Sequence, residues 1–157
     1  KVSVEVVIGP PGVGKTYDCY RRFGGRVFSK MMSSRWWDGY NPLRHTVVLL
    51  DEFCGSSPGS NGYFTPDTLQ QICQGYPMMV EVKNGTVAAG WLHIYMTSNY
   101  EIDEWFNYWR GIPPQVKESI LSRITKITQL RGENLRERPE NRPADYADLD
   151  GVEIVYV

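Results

Sequence analysis

The densest chemistry in the chain lies in eight consecutive residues, Gly9-Pro10-Pro11-Gly12-Val13-Gly14-Lys15-Thr16. They fit the pattern G-x-x-x-x-G-K-[ST] in full. Glycines at those positions allow a tight loop whose backbone N–H groups turn inward and cradle phosphates. A helix beginning at the end of the loop adds its positive pole to the same anion. Lys15 is suited to neutralise the β and γ phosphates, and the Thr16 hydroxyl is suited to Mg2+. Gly9, Pro10, Pro11, Gly12, Val13, Gly14, Lys15, Thr16 and the adjoining Tyr17 are therefore the candidate nucleotide-binding residues. The competing reading is a chance glycine-rich turn. A β-branched run before the loop and a helix-compatible run after it argue against chance.

Two further segments carry groups that such a site needs. Val47-Val48-Leu49-Leu50 reads as a buried strand and runs into Asp51-Glu52. A carboxylate at a strand's carboxyl end lies where ligands bind in open α/β sheets. Asp51 is the second candidate metal residue beside Thr16, and Glu52 is the candidate general base for an attacking water. Met96-Thr97-Ser98 ends another buried run and leads to Asn99, whose amide both donates and accepts. Asn99 can reach the γ-phosphate or orient the lytic water, or it can cap the following helix, with Ser98 as the rival cap.

The elements that must position these groups follow from pattern. Residues 2–8, 46–51, 92–97 and 124–130 are apolar without helical period and read as strands, with a short one at 26–29. Helices are expected over 15–23, about 66–74 behind Thr65-Pro66, and near 101–108 and 114–121. Residues 79–83 and 86–89 read as a hairpin around an Asn84-Gly85 turn. Residues 54–62 are rich in glycine and serine and read as a mobile loop. Alternating strands and helices predict a parallel sheet with helices on both faces, into which the hairpin is inserted.

Composition fits one domain: 157 residues, 41% hydrophobic and 22% charged,. Residues 131–157 carry four arginines and seven acidic residues, and the remainder carries 13 basic and 11 acidic ones. So weak a charge attracts a polyanion little at long range, and any nucleic acid must be held by a few placed residues or by repetition in an oligomer. No apolar run is long enough to cross a membrane as a helix. Three cysteines without a C-x-x-C, and two separated histidines, argue against a disulfide framework or a zinc site,.

The order of segments is itself distinctive: Gly9–Thr16, Trp36-Trp37-Asp38-Gly39-Tyr40, Val47–Phe53, a lysine-bearing hairpin, Thr97-Ser98-Asn99, then Ser122-Arg123-Ile124. Over about residues 4–127 it resembles the superfamily 3 helicase domain of the replication-associated proteins (Rep) of circoviruses and related circular single-stranded DNA viruses. The resemblance implies an α/β P-loop NTPase with an AAA+-like parallel-sheet core over residues 1–130, followed by a charged, partly ordered tail at 131–157. It implies ATP (with ADP as product) and Mg2+ as cofactors. It also implies a homo-oligomeric, usually hexameric, ring around single-stranded DNA with ATP-driven unwinding, no membrane, and a place in the host nucleus. Lys15, Thr16, Asp51, Glu52 and Asn99 match its catalytic motifs. Arg123 matches its arginine finger, which acts on a neighbouring subunit's ATP. Relatives often carry two adjacent arginines there, whereas Ser122 precedes Arg123 in this chain, so Arg110 and Lys126 stay open as rivals. Lys83 at the hairpin matches the DNA-contacting lysine, and Asn84 adds a second polar group. Trp36, Trp37 and Tyr40 are expected to pack a core or an interface rather than stack bases. No His-x-His motif is present, so nicking and joining are not assigned to these residues.

Two other classes use the same loop. A small P-loop kinase needs an arginine-rich lid and an acceptor pocket, but the arginines here are scattered or lie in the tail. A switch module that only binds ATP has no need of a base such as Glu52.

Overall fold

The computed structural model describes residues 2–53, 65–108, 112–130 and 153–156. The strands are β1 (Ser3–Ile8), β2 (Val27–Ser29), β3 (Val47–Leu50), β4 (Met79–Val82), β5 (Gly85–Ala88), β6 (His93–Ser98), β7 (Lys126–Gln129) and β8 (Glu153–Tyr156). The helices are α1 (Lys15–Phe23), α2 (Pro66–Gln74), α3 (Ile102–Tyr108) and α4 (Pro114–Arg123). Six strands form one sheet in the order β2-β3-β6-β1-β7-β8, and every pairing in it is parallel. β4 and β5 form a separate antiparallel hairpin.

Side-chain alternation along the strands builds the two faces. Val4, Val6 and Ile8 of β1 point with Val48, Leu50, Ile94 and Met96 toward α2, α3 and α4, against Leu69, Ile72, Trp105 and Ile120. Val7, Leu49 and Tyr95 point the other way, onto Cys19 of α1. Strands buried on both faces read as continuous apolar runs, which is why β3 and β6 were visible in the sequence. The result is a P-loop NTPase-type α/β core with helices on both faces and an inserted hairpin.

A parallel sheet delivers all its strand ends to one edge. Ile8 leads into the glycine loop, Leu50 into Asp51-Glu52, Ser98 into Asn99, and Gln129 into Leu130. Strand ends as far apart in sequence as Ile8 and Gln129 thus meet at one edge.

Two local expectations are corrected. The hairpin turns at Lys83-Asn84, not at Asn84-Gly85, because Val82 pairs with Gly85 as the last rung of the ladder. Asn84 alone takes the left-handed conformation there, with φ 73°, so Lys83 sits at the tip itself. Neither Ser98 nor Asn99 caps α3, which begins at Ile102; the Ser98 hydroxyl instead accepts from the Tyr100 N–H and the Trp105 indole, both at 3.0 Å. The stretch 54–62, Arg110 and most of the tail lie outside the described residues, while residues 153–156 pair with β7 as an edge strand.

The hairpin is carried by the segment between β2 and β3. The Trp37 N–H donates to the Glu81 carbonyl at 2.7 Å, and the Asp38 carboxylate accepts the Lys83 N–H at 2.8 Å. Trp37 stacks on Trp91 with centroids 5.0 Å apart, and Tyr40 meets both edge-on. Trp37 and Tyr40 are buried, so these two aromatics pack a core, as expected. Lys30, at the end of β2, is also buried, and its ammonium donates to the carbonyls of Met31, Ser34 and Trp36, which fixes the start of this segment.

Candidate nucleotide site

The loop after β1 needs glycine for two different reasons. Gly12 and Gly14 have φ of 80° and 91°, and a Cβ on either would meet nothing within 4 Å. Backbone conformation, not space, requires glycine there. Gly9 is the opposite case, because a Cβ on it would lie 2.7 Å from the Leu130 carbonyl oxygen. Close approach of β7's end forbids a side chain. Gly14 is the N-cap of α1, and no side chain caps that helix. Its first-turn N–H groups thus have no capping side chain, whereas the Thr65 side chain caps α2 through the Thr68 N–H. Uncapped N–H groups at a helix start favour an anion.

Lys15 is buried, and its ammonium donates to the Gly9 carbonyl (2.9 Å), the Pro10 carbonyl (2.8 Å) and the Asn99 side-chain oxygen (2.9 Å). Burial lowers its pKa, and the carboxylates of Glu52 and Asp51 oppose that shift. Thr16 donates to Asp51 Oδ1 at 2.6 Å. Thr97, fully buried, donates to the same oxygen at 2.7 Å. The Thr97 hydroxyl also accepts the Glu52 N–H at 2.8 Å. That bond holds Glu52 at φ 53°, a left-handed conformation uncommon for a residue with a side chain,. Glu52 is exposed at this edge, so its carboxylate is open to solvent beside Asp51.

Thr97, Ser98 and Asn99 therefore act in three directions from the end of one strand. Thr97 grips Asp51 and Glu52, Ser98 donates to the Phe53 carbonyl, and Asn99 grips Lys15. The structure brings together Lys15, Thr16, Asp51 and Asn99 by direct bonds, with Glu52 adjoining. The residue that sequence reasoning missed is Thr97. The available signal was a hydroxyl at the end of a buried strand, a polar group that must find a partner there.

A divalent cation fits the donor set. The Thr16 hydroxyl and the Asp51 carboxylate are oxygen ligands of the kind Mg2+ prefers. Asp51 Oδ1 accepts a hydrogen bond from both hydroxyls, which leaves Oδ2 as the free acceptor among the described residues.

Arg123 is not part of this constellation within one chain. It ends α4 just before β7, and Thr125 bonds to Val4, so Arg123 sits at the edge where strands begin. The glycine loop lies at the other edge, beyond the length of β1 at about 3.3 Å per residue. The Arg123 Nε is buried and has no partner among the described residues. Lys126 pairs with Glu153 at 3.7 Å on that same edge. Lys83 and Asn84 are exposed at the hairpin tip, away from the loop.

The family model for RNA helicases matches residues 6–100, from β1 through Asn99 and into the residue after it. The chain belongs to this helicase family. Among curated proteins, this helicase domain is 36% identical over 146 residues to a replication-associated protein of Porcine circovirus 1, covering 90% of the chain and 43% of that relative. It is 34% identical over 128 residues to the corresponding protein of Porcine circovirus 2, covering 81% and 37%. A replication-associated protein of Goose circovirus is 36% identical over 106 residues, 68% of the chain and 33% of the relative. The chain thus spans less than half the length of these relatives. These similarities agree with the superfamily 3 helicase domain of replication-associated proteins that the motif order implies. The helicase family match contains the glycine loop, Asp51-Glu52, the hairpin and Asn99, but it ends before Arg123.

Proposed function

We propose that the chain is the ATP-driven helicase domain of a viral rolling-circle replication initiator, hydrolysing ATP at the boundaries between copies in a ring and moving single-stranded DNA through it. The convergence of Lys15, Thr16, Asp51 and Asn99 within hydrogen-bond distance, in a chain of a helicase family, carries the reading.

The geometry supports the following roles for these residues. The loop N–H groups and Lys15 bind the β and γ phosphates. Thr16 and Asp51 would hold Mg2+, which would neutralise charge on the phosphate oxygens. Glu52 accepts a proton from the attacking water as that water bonds to the γ-phosphorus and the bond to ADP breaks. Asn99, already bonded to Lys15, keeps the ammonium aimed at the phosphates. Arg123 has no route to its own chain's site, so its role is to enter a neighbour's site and stabilise the departing phosphates. At the exposed tip of the hairpin, Lys83 contacts the DNA backbone with Asn84 beside it. Phosphate contacts hold DNA without reading its sequence, which suits a translocating motor.

Steady-state ATP hydrolysis across protein concentrations, with and without single-stranded DNA, tests this. Specific activity is expected to rise with both. Mixing Lys15→Ala with Arg123→Ala protein, each inactive alone, is expected to restore part of the activity, since some boundaries then pair an intact loop with an intact arginine. Activity that is flat in concentration and indifferent to DNA would overturn the shared-site ring.

A further inference from the structure

α1 carries Lys15 and Thr16, yet little apolar surface holds it to the sheet. Its buried residues are Lys15 and Cys19, whereas α2, also of nine residues, buries Leu69, Ile72 and Cys73. So short a helix is marginal without tertiary contacts. Apolar contacts are also non-directional, so one small thiol does little to fix how the helix is turned about its axis.

Polar contacts from the sheet supply what is missing. Alternation along β6 points His93, Tyr95 and Thr97 toward α1,, and Thr97 already serves Asp51. Tyr95 is fully buried, and its hydroxyl lies 2.8 Å from Asp18 Oδ2 and 3.2 Å from the Lys15 carbonyl oxygen. Lys15 and Asp18 are three residues apart on one helix face, so a single hydroxyl spans the first turn. Burial raises the Tyr95 pKa and the bond to Asp18 raises it further, so the phenol keeps its proton. Burial also raises the Asp18 pKa, but the bonds from Arg21, Tyr95 and Arg22 outweigh it and hold the carboxyl below its usual value. Tyr95 is therefore the donor and an ionised Asp18 the nearer acceptor. One turn further on, Arg22 donates to Glu5 Oε2 at 2.8 Å and lies 3.5 Å from Asp18 Oδ2. The other oxygen of the buried Glu5 faces His93 Nε2 at 3.3 Å. A line of polar contacts thus runs beneath α1 up to the residue that carries the ammonium. Hydrogen bonds are directional, and this line sets the turn of the helix that brings Lys15 to Asn99 and Thr16 to Asp51.

We infer that Tyr95, acting through the Lys15 carbonyl and the Asp18 carboxylate, is a positioning residue for ATP hydrolysis that aims the Lys15 ammonium and the Thr16 hydroxyl. The inference rests on the phosphate-site reading proposed above and adds to it a residue buried beneath the helix. β6 then serves the site twice, through Thr97 on the metal side and through Tyr95 on the phosphate side.

Steady-state ATP hydrolysis, measured well below the thermal midpoint of each variant, tests this. Tyr95→Phe keeps the ring against Cys19 and Phe23 and removes only the hydroxyl. It is expected to lower kcat roughly tenfold, the loss of one bond to a charged group, and to leave KM for ATP within about twofold. The loop N–H groups still bind the phosphates, while Lys15 and Thr16 are misaligned for the transition state. Asp18→Ala removes the nearer acceptor and is expected to match Tyr95→Phe, with no further loss when the two are combined. Asp18→Asn keeps an acceptor for the hydroxyl and is expected to retain most of kcat. A bond that only stabilises the fold would lower the thermal midpoint of Tyr95→Phe and leave its kcat unaltered, and that result would overturn the inference alone. Losses that multiply in the double variant would also overturn it. Unaltered turnover in Lys15→Ala would overturn the phosphate-site reading and this inference with it.

Discussion

At the carboxyl edge of the sheet, Asp51 takes a hydroxyl proton from each of two elements, and Lys15 is held by two carbonyls and an amide. At the hairpin tip, Lys83 is anchored by one exposed backbone bond to Asp38, and its side chain stands in solvent. The first region is over-determined: removing one partner leaves others to fix the geometry but strips a charged group of a bond in a buried place. The second hangs on a short segment, and that segment leads back through Lys30, whose N–H bonds the Leu49 carbonyl, to the strand that ends in Asp51. Chemistry that needs fixed distances is built on strand ends, and a contact that must travel is built on a separate hairpin joined to the same strands.

The contrast predicts graded outcomes. Lys15→Ala should have the largest effect, a fall in ATP turnover of about 10²–10³-fold or more, as when a fixed donor to developing charge is lost; steady-state hydrolysis measures it. Thr97→Val should come next. It keeps the shape but removes a hydrogen bond to a charged carboxylate, worth about 1.5–3 kcal/mol, so turnover should fall ten- to a hundredfold and the Mg2+ concentration for half-maximal rate should rise. Thr97→Ser should restore both, and a Thr97→Val enzyme with unaltered Mg2+ dependence would show that the hydroxyl does not serve Asp51. Lys83→Ala should spare basal turnover, weaken binding of single-stranded DNA and lower the salt slope of that binding by about one; a loss of basal turnover would merge the two regions that the structure separates. Asp38→Ala should have the smallest effect, a few-fold loss of DNA affinity from one solvent-exposed bond to a carboxylate, screened to about 1 kcal/mol,, with Asp38→Asn retaining most of it.

How much of this was legible in the sequence differs between the same two regions. Gly9–Thr16 is contiguous, so its chemistry can be read without knowing what lies beside it. Val47–Leu50 and Ile94–Met96 are hydrophobic throughout because they are covered on both faces, and that pattern survives in one dimension,. Thr97 was not legible as a partner of Asp51, since the pairing spans 46 positions and depends on β3 and β6 being neighbours. Asp38 was hidden for the same reason, 45 positions from Lys83. The hairpin itself was legible, but its turn was misplaced by one residue. Asn-Gly favours left-handed backbone at both positions, yet the ladder closes at Val82 and Gly85 and needs it at Asn84 alone.

The order β2-β3-β6-β1-β7-β8 also bears on how the molecule is made. β1 carries the glycine loop, and its two neighbours, β6 and β7, pair with it across about 90 and 120 residues of chain. Until residues near 98 leave the ribosome, β1 has neither of its neighbours in the sheet, and contacts of such long sequence separation form slowly,. Bare apolar edges are where chains stick to one another. The arrangement that gathers distant motifs into one nucleotide site thus leaves β1 dependent on β6 and β7 for the protection of its edges while the chain is being made.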